Sequence, residues 1–288
     1  MHLIMLTVAI SIAVLVRLGW QRSYCNQTQR WRQVATAFLL PPLCLVTTAI
    51  AILAMGTDGT MIGVSVGHLG YLAAIASLIA AVGALLVLSW NAQRALNKIR
   101  ALPKTVLDGQ VGYQLNTDVP YAAQVGFWRS DLVVSQGLID NLSSPHLRAV
   151  LVHEQAHETY HDTFWFFLLG WLRQTTGWLP KTDELWQELL LLRELRADRW
   201  AAQRVDPLIL AEALLAVVHH QAITQVYPMQ ESYPCAAFDS NSVERLEERV
   251  EALLDPCQEV NPSSTSPWLT PLIATAALAP ILTVFLHH

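Results

Sequence analysis

The 288-residue chain is 53% hydrophobic and only 14% charged, with a formal net charge of -5 and a mean hydropathy of +0.33. Soluble globular proteins carry about 25% charged residues, so the composition excludes an ordinary soluble domain and predicts membrane spans. No basic block is present, which argues against direct binding of nucleic acid. The four cysteines form no C-x-x-C pair, which predicts neither a disulfide framework nor a cysteine zinc site; a Cys235–Cys257 bridge stays an alternative.

Four apolar stretches predict transmembrane helices, at about 3–20, 34–55, 71–90 and 267–286. The last three have the length of about 20 residues that a bilayer requires. The first stretch is shorter and extends to Trp20 only if the Arg17 side chain reaches the interface. It has no basic region before it, unlike a signal peptide, and is interpreted as a retained span. Pro41 and Pro42 are tolerable in the second stretch because membrane helices accept proline.

The distribution of basic residues orients these spans. The loop 17–33 is basic, the loop 56–70 has no lysine or arginine, and the segment after the third span is basic again. The positive-inside rule then places the N-terminus outside and the polar region in the cytoplasm, where cysteines stay reduced. The predicted organisation is three spans within 1–100, a cytoplasmic domain at 101–262 and a C-terminal span within 263–288.

The polar region opens with a predicted small sheet and continues with helices. Strand-like segments are "GQVGYQLN" (109–116), "YAAQVGFW" (121–128) and "DLVVS" (131–135). Ser143 or Ser144 is a suitable N-cap before Pro145, and apolar residues then recur at helical spacing. The fold class predicted is a mainly α membrane protein with four transmembrane helices and a cytoplasmic α+β domain.

The predicted helix carries His153-Glu154-Gln155-Ala156-His157, an H-E-x-x-H pattern. Residues four apart are neighbours on one helix face, so both imidazoles can reach one zinc ion while Glu154 acts as general base of a metallopeptidase. The alternative is a polar helix face without a metal. Three protein ligands would leave the fourth zinc position for water, as in catalytic sites.

A second helical stretch, "LLLLRELRADRWAAQ" (189–203), supplies a candidate third ligand. Glu194 is that candidate, and Asp198, one turn later, is suited to accept the free N–H of a ligand histidine and so orient its ring. The alternative is a surface helix with local ion pairs. His161 cannot join both histidines on one ion, because eight residues of helix rise about 12 Å; it is interpreted as a neighbouring or interfacial residue.

Residues 163–180, "TFWFFLLGWLRQTTGWLP", follow the motif directly. The stretch is too short and broken to span a bilayer confidently, and its three tryptophans suit the membrane–water interface. The alternative is a buried core helix. The interface interpretation would hold the site close to membrane lipids.

The segments "PYAAQVGFWRSDLVVSQGLIDNLSSPHLRAVLVHEQAH" and "ELRAD" resemble the BlaR/MecR-type integral-membrane zinc metallopeptidases, and more distantly HtpX-type membrane proteases. The similarity covers roughly residues 110–255, including the arginine-bearing "SVERLEERVEALL" (242–254). No large domain follows the last predicted span, so β-lactam sensing is not expected. Family members often have arginines after the second histidine, where this chain has 158–161, "ETYH".

The resemblance implies a gluzincin-like zinc metallopeptidase domain in a bacterial-type cell membrane, with one Zn²⁺ per chain. The implied ligands are His153, His157 and Glu194, with Glu154 as catalytic base, and Asp162 matches an aspartate five residues after the second histidine. The implied partner is a protein substrate, either a cytoplasmic transcriptional repressor in a signalling pathway or, as for HtpX-type quality-control proteases, a membrane protein. A non-proteolytic membrane receptor or scaffold with a zinc site is the alternative. No particular oligomeric state is predicted.

Overall fold

The computed structural model describes residues 1–22, 27–57, 60–61, 64–65, 68–224, 242–254 and 280. Its helices are α1 (His2–Gly19), α2 (Gln27–Met55), α3 (His68–Arg100), α4 (Gln136–Asn141), α5 (Ser144–Thr159), α6 (Asp162–Thr176), α7 (Thr182–Ala202), α8 (Pro207–Thr224) and α9 (Ser242–Leu254). Its strands are β1 (Thr60–Met61), β2 (Val64–Ser65), β3 (Lys104–Leu107), β4 (Gln110–Leu115), β5 (Ala122–Gly126) and β6 (Ser130–Ser135). The prediction of a mainly helical protein with a small sheet is confirmed.

Two earlier expectations fall on residues that are not described. The predicted fourth span, 267–286, lies outside the described residues except for residue 280. Cys235 and Cys257 also lie outside them. The span and the alternative disulfide therefore stay predictions.

The described residues form two compact units. The first contains Met1–Val87 and Gly170–Leu190, and the second contains Leu88–Leu169, 191–224 and 242–254. The hairpin between α6 and α7 thus belongs to the first unit, together with the N-terminal helices.

Three helices of the described residues, α1, α2 and α3, are long and apolar enough to cross a membrane, as predicted for the first three apolar stretches. The first unit contains α1, α2 and the part of α3 up to Val87. α1 packs against α2, and Ile52 of α2 and Ala74 of α3 are fully buried in one cluster. Many outward side chains of α3 are also apolar, among them Leu72, Ile79 and Leu86. Such a continuous exposed apolar surface suits lipid tails better than water.

The sheet of the second unit has the strand order β3-β4-β6-β5. β3 was missed by the sequence interpretation. It pairs with β4 through a two-residue turn in which Asp108 and Gly109 both have positive φ, 49° and 78°. Asp-Gly is the pair that such a hairpin turn prefers, so a signal for the missed strand was present in the sequence.

β5 forms one edge of this sheet. It pairs antiparallel with β6, while β4 pairs with β6 in parallel. Among the described residues no strand pairs with the other side of β5, so this strand, within "YAAQVGFW", lies at an edge of the sheet. The buried Val125 of β5 and Val133 of β6 pack against Leu96 and Ile99 at the end of α3.

The larger core of the second unit lies between β6, α4, α5 and α8. α5 packs against both β5 and α8, and its Ala149, Val150 and Leu151 are buried in a cluster with Val134 of β6 and Leu210 of α8. Ser135 caps α4 by accepting the N–H of Leu138 at 3.0 Å. This packing fixes α5, the helix of the H-E-x-x-H pattern, beside the edge strand.

Candidate active site

α5 carries the H-E-x-x-H residues in its C-terminal half. Ser143 is the N-cap residue and a proline follows in the first turn, where its missing N–H costs nothing. His153, Glu154 and His157 are all buried, at 5%, 8% and 8% exposure. Buried polar groups are retained only where they find partners, so the environment of each side chain matters for its role.

The structure brings His153, His157 and Glu194 together, with one donor atom from each within 4.8 Å of the others. His153 Nε2 lies 3.2 Å from His157 Nε2 and 3.3 Å from Glu194 Oε2. His157 Nε2 lies 3.7 Å from Glu194 Oε1. Zinc–ligand bonds of about 2.0–2.1 Å at tetrahedral angles place ligand atoms about 3.3 Å apart. The two imidazole nitrogens and the Glu194 carboxylate, which contacts each of them through a different oxygen, lie close enough together to share one metal ion.

The opposite sides of both imidazole rings face carboxylates. His153 Nδ1 lies 2.8 Å from Asp198 Oδ1, and His157 Nδ1 lies 2.8 Å from Asp162 Oδ2. A carboxylate only accepts hydrogen bonds, so Asp162 holds a proton on Nδ1 of His157, and the Asp198 carboxylate favours a proton on the same nitrogen of His153. In a metal-bound site the two rings would then be neutral and would direct the lone pairs of Nε2 inwards. Two lone pairs and the Glu194 carboxylate then converge on one point, an arrangement that only a cation stabilises. The donor set therefore fits a divalent metal.

The electrostatics of the metal-free site lead to the same conclusion. Burial alone lowers the pKa of His153, but Asp198 and Glu194 raise that pKa to about 10. Burial likewise lowers the pKa of His157, and Glu194 and Asp162 outweigh it and raise it. Without a metal, protons supply the positive charge that these carboxylates require. A metal ion would replace those protons.

Glu194 is bordered by two arginines, which the sequence interpretation did not assign to the site. Arg193 Nη2 lies 2.7 Å from Glu194 Oε1, and Arg249 Nη1 lies 3.4 Å from Glu194 Oε2. Burial alone raises the pKa of Glu194, but Arg193, His157 and Arg249 hold it well below its usual range. The carboxylate is therefore ionised and ready to bind a cation.

Arg249 also forms a bidentate pair with Asp198, through Nε at 2.7 Å and Nη2 at 2.9 Å. Burial alone raises the pKa of Asp198, but Arg249 and His153 lower it. Arg249 comes from α9, the segment that the sequence singled out as an arginine-bearing helix without naming a residue. A part-buried arginine that pairs with the buried Asp198 and the part-buried Glu194 is a site component and not a surface charge.

Glu154 is held at the edge of the sheet. Its Oε2 accepts the backbone N–H of Gln124, in the edge strand β5, at 3.0 Å. The contact places the carboxylate between the motif helix and the free side of the strand. A general base must lie within hydrogen-bond reach of the proton it takes, and here its orientation is fixed by a main-chain donor.

His161 takes no part in the cluster of donor atoms, in agreement with its interpretation as a neighbouring residue. It has a φ of 53°, Nδ1 lies 3.0 Å from the carbonyl oxygen of Trp128, and its ring stacks on the indole at 4.3 Å. Thr163 donates to the carbonyl of Phe127 at 2.7 Å. The turn after α5 is thereby fastened to the turn after β5.

α6 is not a fully buried core helix, since Trp165 is 53% exposed; Trp178, just beyond the helix, is 59% exposed. Within the first unit, Trp171 donates from Nε1 to the carbonyl of Ala81 at 2.8 Å. Ala81 lies inside the third apolar stretch of the sequence. The location of 163–180 at a membrane interface stays a prediction.

The model of Peptidase family M48 matches residues 103–181, just over a quarter of the 288-residue chain. The matched segment runs from the sheet through α5 and α6 and includes the H-E-x-x-H residues; Glu194 and Arg249 lie beyond it. The match indicates metallopeptidase activity and agrees, at the level of the family, with the resemblance seen in the sequence. No curated protein and no solved structure matches the chain.

Proposed function

We propose that this chain is a membrane-anchored zinc-dependent endopeptidase. The convergence of His153, His157 and Glu194 on one point, with Glu154 beside them, is the observation on which this function depends. A structural zinc site requires four protein ligands and no base, whereas three donors next to a held carboxylate suit a site that does chemistry. Imidazole nitrogens and a carboxylate are ligands that zinc accepts.

The metal would be held by the two histidines and Glu194, with Asp198 and Asp162 orienting the rings. When bound, zinc supplies Lewis acidity to the scissile carbonyl and lowers the pKa of water. Glu154 accepts a proton from the attacking water and delivers it to the leaving amine. Its bond to the Gln124 N–H keeps the carboxylate in place during both transfers.

An extended substrate would bind along the free edge of β5. The carbonyl of Tyr121 accepts the Ser135 N–H, so Tyr121 faces β6, and alternation turns the main-chain groups of Ala122, Gln124 and Gly126 outwards. Glu154 already accepts the Gln124 N–H, so the substrate would pair with main-chain groups on either side of that residue. Such strand addition is a general mode of peptide recognition.

The substrate proposed is a cytoplasmic or membrane protein. The basic loops support a cytoplasmic location for the second unit, and the three apolar helices would keep it at the membrane. By resemblance, a transcriptional repressor in a signalling pathway is one substrate class, and membrane proteins are the other.

The test is paired measurement of zinc content and of self- or casein cleavage, on full-length protein in detergent, for the wild type and Glu154→Gln. Glutamine keeps the shape of the side chain and an oxygen for the Gln124 N–H but cannot take a proton. One zinc per chain in both proteins, with cleavage by the wild type alone, supports the peptidase. Zinc in both and cleavage by neither favours the non-proteolytic scaffold. Zinc in neither contradicts the ligand assignment.

A further inference from the structure

Each ligand histidine of the proposed metal site is backed by an aspartate, and each aspartate is backed by an arginine. Asp198 lies between His153 and Arg249, as described above. Asp162 lies in the same way between His157 and Arg196: its Oδ2 is 2.8 Å from the ring, and its Oδ1 is bonded by Arg196 Nη2. The two series of contacts involve different helices, but each runs in the same order from histidine to aspartate to arginine.

Arg196 is itself held in place. Its guanidinium carbon lies 4.2 Å from the centre of the Tyr160 ring, a cation–π contact that helps to hold the group in place. Tyr160 and Asp162 flank His161, whose φ of 53° turns the chain sharply between α5 and α6. The turn therefore presents both partners of Arg196 at once.

Within the part of the chain that the structure describes, the side chain of Asp162 bonds to His157 and Arg196. It is 3% exposed and is the first residue of α6, so it bears a charge that must be paired to remain buried. A carboxylate orients a ligand imidazole only as well as it is itself oriented, and such outer partners matter for metal affinity. Arg196 supplies the charge-assisted bond that holds Asp162.

We propose that Arg196 is a positioning residue for the metal site, holding Asp162 and, through it, the ring of His157. The inference rests on the metal site of the proposed function but not on proteolysis. It differs from the alternative given in the sequence analysis, in which the arginines around Glu194 belong to a surface helix with local ion pairs.

The direction in which zinc affinity changes when Arg196 is replaced distinguishes a positioning role from an effect of its charge alone. A guanidinium repels a nearby metal cation through space, so removing the charge should tighten zinc binding if Coulomb repulsion is all that Arg196 contributes. If Arg196 orients His157 through Asp162, removing it should weaken zinc binding instead.

The experiment measures zinc affinity by competition with a chromophoric chelator, on the full-length protein in detergent. Arg196→Gln should weaken binding about tenfold, the lower end of the loss for outer partners of metal ligands. Arg196→Lys keeps the charge but not the planar fork of donors. Its zinc affinity should lie between those of the wild type and Arg196→Gln. Arg199→Gln, an exposed position on the same helix, is the matched control and should leave the affinity unchanged.

A double-mutant cycle tests the route through the aspartate. Asp162→Asn should weaken binding by itself, and adding Arg196→Gln to it should cause no further loss, because the coupling has already been removed. Equal or tighter binding by Arg196→Gln overturns the proposal, as does an undiminished loss in the Asp162→Asn background.

A second pair of variants serves if Arg196→Gln fails to fold. Tyr160→Phe keeps the ring under the guanidinium and should bind zinc like the wild type, whereas Tyr160→Ala should weaken binding several-fold. Equal affinity of the two variants overturns the proposal. A wild type that binds zinc without cleaving any protein would refute the peptidase and leave this test intact, while a wild type that binds no zinc would refute both.

Discussion

Replacing Asp198 by asparagine should weaken zinc binding and destabilise the second unit together. Asp198 is 2% exposed and contacts His153 Nδ1 at 2.8 Å and Arg249 at 2.7 and 2.9 Å. Asparagine keeps one oxygen, but its amide group brings donors towards two partners that are also donors. We expect zinc affinity to fall 10–100-fold, which corresponds to about 1.4–2.7 kcal/mol.

The loss of stability follows from Arg249, whose side chain is only 14% exposed and loses its charged partner when Asp198 becomes neutral. Breaking a buried ion pair from one side costs about 3–5 kcal/mol. Arg249 keeps its 3.4 Å contact with Glu194, so we expect about 3 kcal/mol, the lower end of that range.

The assay is chelator competition for affinity and the thermal midpoint for stability. Asp183→Asn on the same helix is the control. Asp183 is 78% exposed, and among the described residues its ion pair is with Arg173. The substitution should change the free energy of unfolding by about 0–1 kcal/mol. If Asp198→Asn binds zinc as tightly as the wild type, the buried carboxylate does not orient His153 and the reasoning is refuted.

Three further predictions concern the edge strand, the turn after α5 and the protons of the site. Ala122→Pro should reduce kcat/KM for protein substrates with zinc content unchanged, because it removes an N–H on the outer side of β5. Ala123→Pro removes an N–H that faces β6 and should also lower the thermal midpoint. Equal cleavage by Ala122→Pro and the wild type would exclude substrate pairing at this strand. His161→Asn should be milder than His161→Val in thermal melts, because asparagine tolerates a positive φ and a β-branched residue does not; the reverse order would contradict the strain argument. Zinc binding at pH 7 should release protons, because the pKa of His153 is raised to about 10 without metal and the ring is protonated below that value. Affinity should therefore rise with pH up to about 10, and calorimetry in buffers of different ionisation enthalpy measures the release; a pH-independent affinity would show that the free rings are neutral.

Several features followed from the sequence because they depend only on neighbours along the chain. The spacing of His153 and His157 places them on one helix face in any α-helix, and long apolar runs favour membrane helices by length and composition alone. Glu194 was a correct member of the cluster only by pairing one local pattern with another. The β3 strand was missed, although the Asp108-Gly109 pair in the sequence is typical of a hairpin turn.

Other features depended on which distant segments pack together. Arg249 meets Asp198 across a separation of 51 residues, and Arg196 meets Asp162 across 34. Charged helices contain many arginines, and nothing in their local pattern distinguishes a pair that orients a ligand from one in solvent.

The sequence by itself determined that α1, α2 and α3 are long and apolar enough to cross a membrane. It also determined the helix that carries the motif and the residue types able to hold zinc, because hydropathy and helical periodicity are local properties. Only the tertiary structure decided that Gln124 presents its N–H to Glu154, that His161 stacks on Trp128, and that each histidine of the motif contacts an aspartate that in turn contacts an arginine. Those contacts join residues far apart in the chain, and their distances are set by the packing of α5 against β5 and of α7 and α9 around the site.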